Sequence, residues 1–163
     1  MAAVAPDSEG SPGIAEAPEV TFHFKVADRL QYVCRLLRKA HRAGMRATVI
    51  GDGALLERLD RLMWTFDAQS FVPHVRVVDG ARPAKHLLDT PLWLVEDLAE
   101  SPAGHRVLVQ LRDSVPAGVE RFERIHEVVS LDPDELEPAR ARWRAHAAAG
   151  RRLVRHDAAE SSA

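Results

Sequence analysis

Two glycines at positions 51 and 53 form the feature of this sequence most suggestive of a chemical site. Gly51-Asp52-Gly53 follows a short apolar run and precedes a helical pattern, which is where nucleotide-binding α/β proteins hold a phosphate. The dinucleotide fingerprint needs a third glycine where Leu56 stands, and no Gly-Lys-Ser/Thr phosphate loop occurs. Two glycines that permit a tight turn are the favoured interpretation, and a nucleotide-dependent enzyme remains the alternative.

Other residue types that perform catalysis or bind metals do not assemble into a recognisable site. The eight histidines lack the spacing of zinc hydrolases, so each is interpreted as a surface or capping residue. Glu96 and Asp97 follow a predicted strand, but adjacent strand residues point to opposite faces and cannot act as a pair. Cys34 lies among apolar residues, as buried structural thiols do. We therefore predict no catalytic residue, no metal and no cofactor, and a chain that acts by binding proteins.

The elements that must position any site alternate between strands and helices. Alternating or short apolar runs predict strands at 20–26, 47–50, 91–95, 106–111 and 126–131. Helical spacing, caps and turn residues predict helices at 28–44, 55–63, 119–125 and 133–150. Within the first strand, Val20, Phe22, Phe24 and Val26 are expected on one side. This order predicts a three-layer Rossmann-like α/β fold with a mostly parallel sheet and no nucleotide site.

Composition places one folded domain between two polar ends. The 163 residues are 46% hydrophobic and 28% charged, which suits a single globular domain. Residues 1–18 and 156–163 lack periodicity, which predicts a disordered N-terminal extension, a domain at 19–155 and a disordered C-terminal tail. The N-terminus does not read as a secretory signal, and no apolar run is long enough for a membrane span. A single cysteine then makes the cytoplasm the expected location.

Charge is distributed unevenly along the chain. The net charge is −2, yet residues 140–156 contain six arginines and no acid, which leaves 16 basic and 24 acidic residues elsewhere. Contacts between basic side chains and phosphates supply most of the affinity for nucleic acid, so an acidic body disfavours direct DNA binding. We expect a polarised molecule with a basic C-terminal element.

One stretch resembles a known family. The letters LDRLMW at 59–64, followed by QSFVPH at 69–74, resemble the chi subunit of bacterial DNA polymerase III, and the predicted elements over 19–155 follow that family's order. The resemblance implies a non-catalytic accessory subunit of the clamp-loader complex. It also implies binding to the acidic, Phe-terminated C-terminal tail of single-stranded DNA-binding protein (SSB), so that DNA is contacted only through SSB. A second surface would hold the psi subunit or a DNA-repair helicase.

The final predicted helix carries the residues that the resemblance assigns to the SSB tail. At about 100° per residue, Arg140, Trp143, Arg144 and Ala147 lie on one face. Arginine binds carboxylates through paired hydrogen bonds, and the small Ala147 would leave room for a ring. In the family pattern, Arg140, Trp143 and Arg144 fall where the tail is contacted. From the residues alone, a solvated basic face with Trp143 packed on the sheet would be preferred.

Two aromatic residues near the chi-like motif are candidates for the second surface. Trp64 ends a predicted helix, and Phe71 follows in a proline-containing loop. Aromatic residues in irregular structure serve as core plugs or as interface anchors, and the sequence alone favours the plug. The resemblance places Trp64 and Phe71 on the surface that binds psi or the helicase, with Pro73 and His74 in a structural role.

Overall fold

The computed structural model describes residues 17–160, and these form seven strands and three α-helices. The strands are β1 (Glu19–Val26), β2 (Ala47–Ile50), β3 (His74–Arg76), β4 (Leu92–Val95), β5 (Val107–Gln110), β6 (Arg124–Ser130) and β7 (Arg152–Asp157). The helices are α1 (Arg29–Arg42), α2 (Gly53–Thr65) and α3 (Leu136–Ala148). Most of the predicted N-terminal extension and residues 161–163 of the predicted tail lie outside the described residues.

All seven strands join one sheet in the order β3-β4-β2-β5-β6-β1-β7, and every pairing is parallel. From β1 the chain moves through α1 and α2 to the β3 edge, and it then returns through 3₁₀ turns and α3 to β7. Because crossovers are right-handed, connections that travel in opposite directions lie on opposite faces of the sheet. The predicted three-layer α/β fold with a mostly parallel sheet is confirmed.

Two hydrophobic layers, one on each face of the sheet, hold the helices in place. Val33 and Leu37 of α1 and Leu59 of α2 are buried on one face. Phe22 and Leu108 are buried on the other face, where Phe22 packs against Trp143 of α3. Complete burial of such a side chain stabilises the fold by roughly 1.5–3 kcal/mol, so these layers fix the helices that carry the sites.

Aspartate side chains cap the first two helices, and Asp28 does so as the sequence predicts. The Asp28 carboxylate accepts a hydrogen bond from the Gln31 amide at 3.0 Å, and that of Asp52 accepts one from the Leu55 amide at 2.9 Å. Each bond satisfies an amide that has no partner inside its helix. Gly44 follows α1 with a φ of +71°, the left-handed conformation that commonly ends a helix.

The prediction that four residues of β1 share one side is wrong at Val26. The pairing of β1 with β6 shifts register between His23 and Val26, and Lys25 has a φ of +59°. Such a bulge inserts an extra residue and reverses the alternation that follows it. Val26 therefore packs on the α1 face, while Phe22 remains on the α3 face.

The C-terminal end differs most from its prediction. The expected disordered tail at 156–163 is wrong for its first residues, because β7 extends to Asp157 and Ala158 is buried. β7 pairs in parallel with β1 along its whole length. Only Leu153 and Val154 are apolar within this edge strand, so it lacks the alternation that identifies a strand from sequence.

The short helix predicted at 119–125 is also different in the structure. A 3₁₀ turn spans Val119–Arg121, and Ile125 already belongs to β6. Val119, Phe122 and Ile125 all pack into the same hydrophobic layer, which explains their spacing without a helix.

Candidate protein-binding sites

A buried polar network fixes the orientation of α3. Glu127 of β6 is fully buried and accepts hydrogen bonds from Arg142 Nε and His146 Nε2, each at 2.9 Å, and from Gln110 at 3.3 Å. Arg151 donates to His146 Nδ1 at 3.0 Å, so the imidazole carries its proton on Nε2. Loss of one partner from a buried ion pair costs about 3–5 kcal/mol, and the network therefore holds α3 in one rotation.

With α3 held in this rotation, the helix turns one set of residues toward the sheet and another toward solvent. Ala139, Arg142 and His146 face the sheet, while Arg140 and Arg144 have side chains that are 69% and 65% exposed. Arg142, one of the six arginines of the predicted basic element, thus does not belong to the surface. Exposure of Arg140 and Arg144 agrees with the sequence prediction.

Trp143 lies between these stripes and forms the floor of a groove. Its ring is 5.0 Å from that of Phe22 and 6.4 Å from that of Phe24, measured between centroids. The groove has a volume of about 570 Å³, and Leu131 and Leu136 add exposed apolar surface to it. Trp143 therefore packs on the sheet, as the simpler sequence interpretation holds, and also presents one side to the groove.

Four cationic side chains border this floor. Lys25, Arg140, Arg144 and Arg155 line the groove, and its lining within residues 17–160 includes no carboxylate. The guanidinium carbon of Arg155 lies 4.9 Å from the centre of the Phe24 ring, a cation–π contact that holds it beside the floor. An apolar floor with a cationic border suits an acidic peptide that carries an aromatic ring.

The bulge in β1 positions Lys25 at the groove. Its left-handed backbone is uncommon for a residue with a side chain, and such strain concentrates at functional positions. Lys25 Nζ lies 2.9 Å from the Asp157 carboxylate at the end of β7. This hydrogen bond is the largest cause of a raised Lys25 pKa and of a lowered Asp157 pKa, so both groups are charged at neutral pH.

Sequence reasoning found part of this groove and missed the rest. Arg140, Trp143 and Arg144 come together as predicted, but Ala139 and not Ala147 lines the groove. Phe24 was detectable from its alternation with Phe22, whereas Lys25 depends on an unpredicted bulge. Arg155 depends on β7, for which the sequence offers no clear pattern. These three residues and the two leucines complete the site.

The second predicted pair also lies on the surface. Trp64 and Phe71 are 58% and 61% exposed, and their ring centroids are 5.2 Å apart. The interpretation of these residues as core plugs is therefore wrong. Exposed aromatic residues that contact one another are unusual on a free surface and are typical of interface anchors.

The buried side chain of His74 packs against Trp64 of this pair. Its ring centroid lies 5.1 Å from that of Trp64, and its side chain is fully buried. His74 Nδ1 lies 2.8 Å from the Val72 carbonyl, and its Nε2 lies 2.9 Å from the Asp60 carboxylate. The bonded ring fixes the position of Trp64.

The glycine turn at 51–53 holds carboxylates where a phosphate would lie. Asp52 caps α2, and a Cβ at Gly53 would lie 2.9 Å from a carboxylate oxygen of Glu96. A Cβ at Gly51 would meet the Leu56 side chain at 3.3 Å. Neighbouring side chains therefore lie close to both glycines, and the adjacent negative charge disfavours a phosphate.

Buried histidines correct another sequence interpretation. His23, His105 and His146 are core residues and not surface or capping residues. His23 bonds to Tyr32 Oη at 2.5 Å and to His126 Nδ1 at 2.9 Å, beside a cavity of about 550 Å³ under α1. Burial is the main cause that lowers the pKa of His23 to about 3 and that of His126 to about 4, so both are neutral near pH 7.

Neither the histidines nor the cysteine forms a reactive centre. Within residues 17–160, no group of three histidine, cysteine or carboxylate side chains has the arrangement needed to hold a metal ion. Cys34 is fully buried, and burial raises the pKa of its thiol to about 12, which leaves it unreactive. The buried structural thiol predicted from the sequence is confirmed.

Comparison with known proteins identifies the family. The family model described as DNA polymerase III chi subunit, HolC, matches residues 18–154, a range that contains Trp64, Phe71 and the whole of α3. The chain belongs to the DNA polymerase III chi subunit family. It is 33% identical over 130 residues to DNA polymerase III subunit chi of Pseudomonas aeruginosa, covering 78% of this chain and 85% of that protein. It is 27% identical over 121 residues to the Escherichia coli K12 subunit, covering 74% and 79%.

Membership in the chi family defines the general role of the chain. It is a chi subunit of the DNA polymerase III holoenzyme, a non-catalytic accessory protein of DNA replication. No helix within residues 17–160 is both long and apolar enough to cross a bilayer. The partners of this chi subunit must be inferred from its two exposed surfaces.

Proposed function

We propose that this chi subunit connects the polymerase holoenzyme to SSB by binding the C-terminal tail of SSB in the groove beside α3. In this account, Arg140 and Arg144 bind carboxylates of the tail, and Trp143 contacts its terminal phenylalanine. The subunit contacts single-stranded DNA only through SSB, and it works in the cytoplasm with the replication machinery.

The observation that carries the proposal is an aromatic floor flanked by cations. Trp143 and Phe24 offer ring surfaces, and the guanidinium groups of Arg140 and Arg144 lie on the solvent side of the same groove. A peptide that ends in aspartate and phenylalanine carries both complementary features within a few residues. Arginine forms paired, charge-assisted hydrogen bonds with carboxylates, and an offset or tilted ring pair adds roughly 0.5–1.5 kcal/mol.

We further propose that Trp64 and Phe71 bind the psi subunit or a DNA-repair helicase. Trp64 lies at the end of α2, and Phe71 precedes β3, which forms one edge of the sheet. The α3 groove includes Arg155 of β7, which forms the opposite edge. The two surfaces lie at opposite edges of the sheet. This separation supports simultaneous binding of SSB and of psi or the helicase, which a connecting subunit requires.

A nucleotide-dependent enzyme remains a weaker second function. The strand-to-helix turn that would support it holds the carboxylates of Asp52 and Glu96 close to the glycines. Titration with nucleotides and with an SSB tail peptide under the same conditions would separate the two functions. We expect the SSB tail peptide to release or absorb heat on binding and the nucleotides to give no such signal.

Direct contact with DNA is expected to be weak. The chain has a net charge of −2, and phosphate contacts by basic residues supply most DNA affinity. At physiological salt, wild-type protein should shift SSB-coated single strands in a mobility assay and leave bare strands unshifted. Strands coated with SSB that lacks its terminal residues provide the control. Equal affinity for bare and coated strands would contradict the proposed role of SSB.

A further inference from the structure

A single carboxylate of α3 already pairs with two of the three arginines that line the groove. Glu137 Oε1 lies 3.2 Å from Arg144 Nη2, and Glu137 Oε2 lies 3.8 Å from Arg140 Nη1. The Glu137 side chain is 70% exposed, like those of its two partners. In the free protein, one internal acid therefore neutralises the two cations that a peptide carboxylate would approach.

This arrangement follows from position along the helix. Glu137, Arg140 and Arg144 are spaced i, i+3 and i+7 in α3, so they form one stripe on its surface. Neighbouring turns of the helix keep the three groups within reach of one another. An acid at this position consequently competes for the guanidinium groups whenever they are not bound elsewhere.

We propose that Glu137 acts as an internal competitor of the incoming peptide carboxylate and sets the affinity of the groove. This inference rests on the proposed function, because it assumes that the groove binds the acidic SSB tail. Exposed ion pairs contribute little to stability, so a tail that brings several carboxylates and a ring displaces Glu137 readily. The same acid repels the tail as it arrives, which lowers the affinity further.

The test replaces Glu137 by its neutral isostere. We expect Glu137→Gln to bind a fluorescent SSB tail peptide roughly twofold to fivefold more tightly than wild type, in the range that one exposed charge pair supplies. High salt should shrink this difference, since it screens exposed charges. In a protein that already carries Arg144→Ala and Arg140→Ala, Glu137→Gln should have little effect on the affinity for the peptide. The guanidinium groups for which Glu137 competes are then absent.

Asp134→Asn is the matched control. Asp134 lies in the 3₁₀ turn before α3 and is exposed, but it forms no ion pair with either arginine. Asp134→Asn removes the same charge from the same end of the helix. If it raised the affinity for the tail peptide as much as Glu137→Gln does, the inference would be overturned. Unchanged or weaker binding by a folded Glu137→Gln, with its melting temperature measured by circular dichroism, would overturn it too. Failure of the wild type to bind the peptide would instead contradict the proposed function.

Discussion

Arg144→Glu is expected to weaken binding of the SSB tail by well over tenfold. A charge-assisted hydrogen bond contributes about 1.5–3 kcal/mol, and about 1.4 kcal/mol corresponds to a tenfold change in affinity. Replacement by alanine removes the bond, whereas glutamate also adds a repelling charge near that of Glu137 on the surface of α3. Isothermal titration of the tail peptide into wild type, Arg144→Ala and Arg144→Glu should give affinities that fall in this order.

The fold of the variant is expected to remain intact. The Arg144 side chain is 65% exposed, and surface ion pairs contribute only about 0–1 kcal/mol to stability. Arg106→Glu is the matched control, because Arg106 is 63% exposed, lies outside the groove and forms a similar surface pair with Glu123. Both variants change the net charge equally. If Arg106→Glu weakened binding as much as Arg144→Glu, general charge attraction would explain the result and the groove would not.

Trp64→Ala is expected to abolish capture of psi or the helicase in a pull-down assay and to leave tail binding nearly unchanged. Interface residues that dominate binding energy commonly cost 2 kcal/mol or more when truncated, and tryptophan is the type most enriched among them. Phe71→Ala should act in the same direction, because the two rings are in contact at 5.2 Å. Each variant should retain most of its stability, since both side chains are more than half exposed.

The two surfaces serve as controls for each other. Arg144→Glu should still bind psi or the helicase, and Trp64→Ala should still bind the SSB tail. Trp93→Ala provides a stability comparison, because Trp93 is only 5% exposed and its loss should cost about 3–5 kcal/mol. If Trp64→Ala melted as early as Trp93→Ala, or if each variant lost both partners, the assignment of separate surfaces would be contradicted.

The sequence predicts the layers of this fold better than its C-terminal edge. Buried parallel strands read as continuous apolar runs, so β2, β4 and β5 were identifiable, and Asp28 marked the start of α1. The edge strand β7 has no such pattern, because half of its residues are charged. Its pairing with β1 is a long-range contact that local sequence does not encode.

The residues of the groove likewise fall into two groups, those that local sequence spacing brings together and those that depend on long-range contacts. Arg140, Trp143 and Arg144 share one helix, so their spacing alone brings them together. Lys25 and Arg155 reach the groove from two neighbouring strands, through a bulge and a pairing that only the folded chain defines. The burial of Arg142 depends in turn on Glu127 of β6, and nothing near Arg142 in the sequence distinguishes it from the exposed arginines.

The central claim is that the α3 groove binds a peptide with an acidic stretch and a terminal aromatic ring. Fluorescence anisotropy should compare wild-type protein with the SSB tail peptide and with the same peptide lacking its final phenylalanine. In the proposed complex the ring packs on Trp143 and the acids pair with Arg140 and Arg144, so removal of phenylalanine should weaken binding at least tenfold at constant salt. Equal affinity for the two peptides would mean that the groove attracts acids without recognising the ring, and it would contradict this account of how the chi subunit binds SSB.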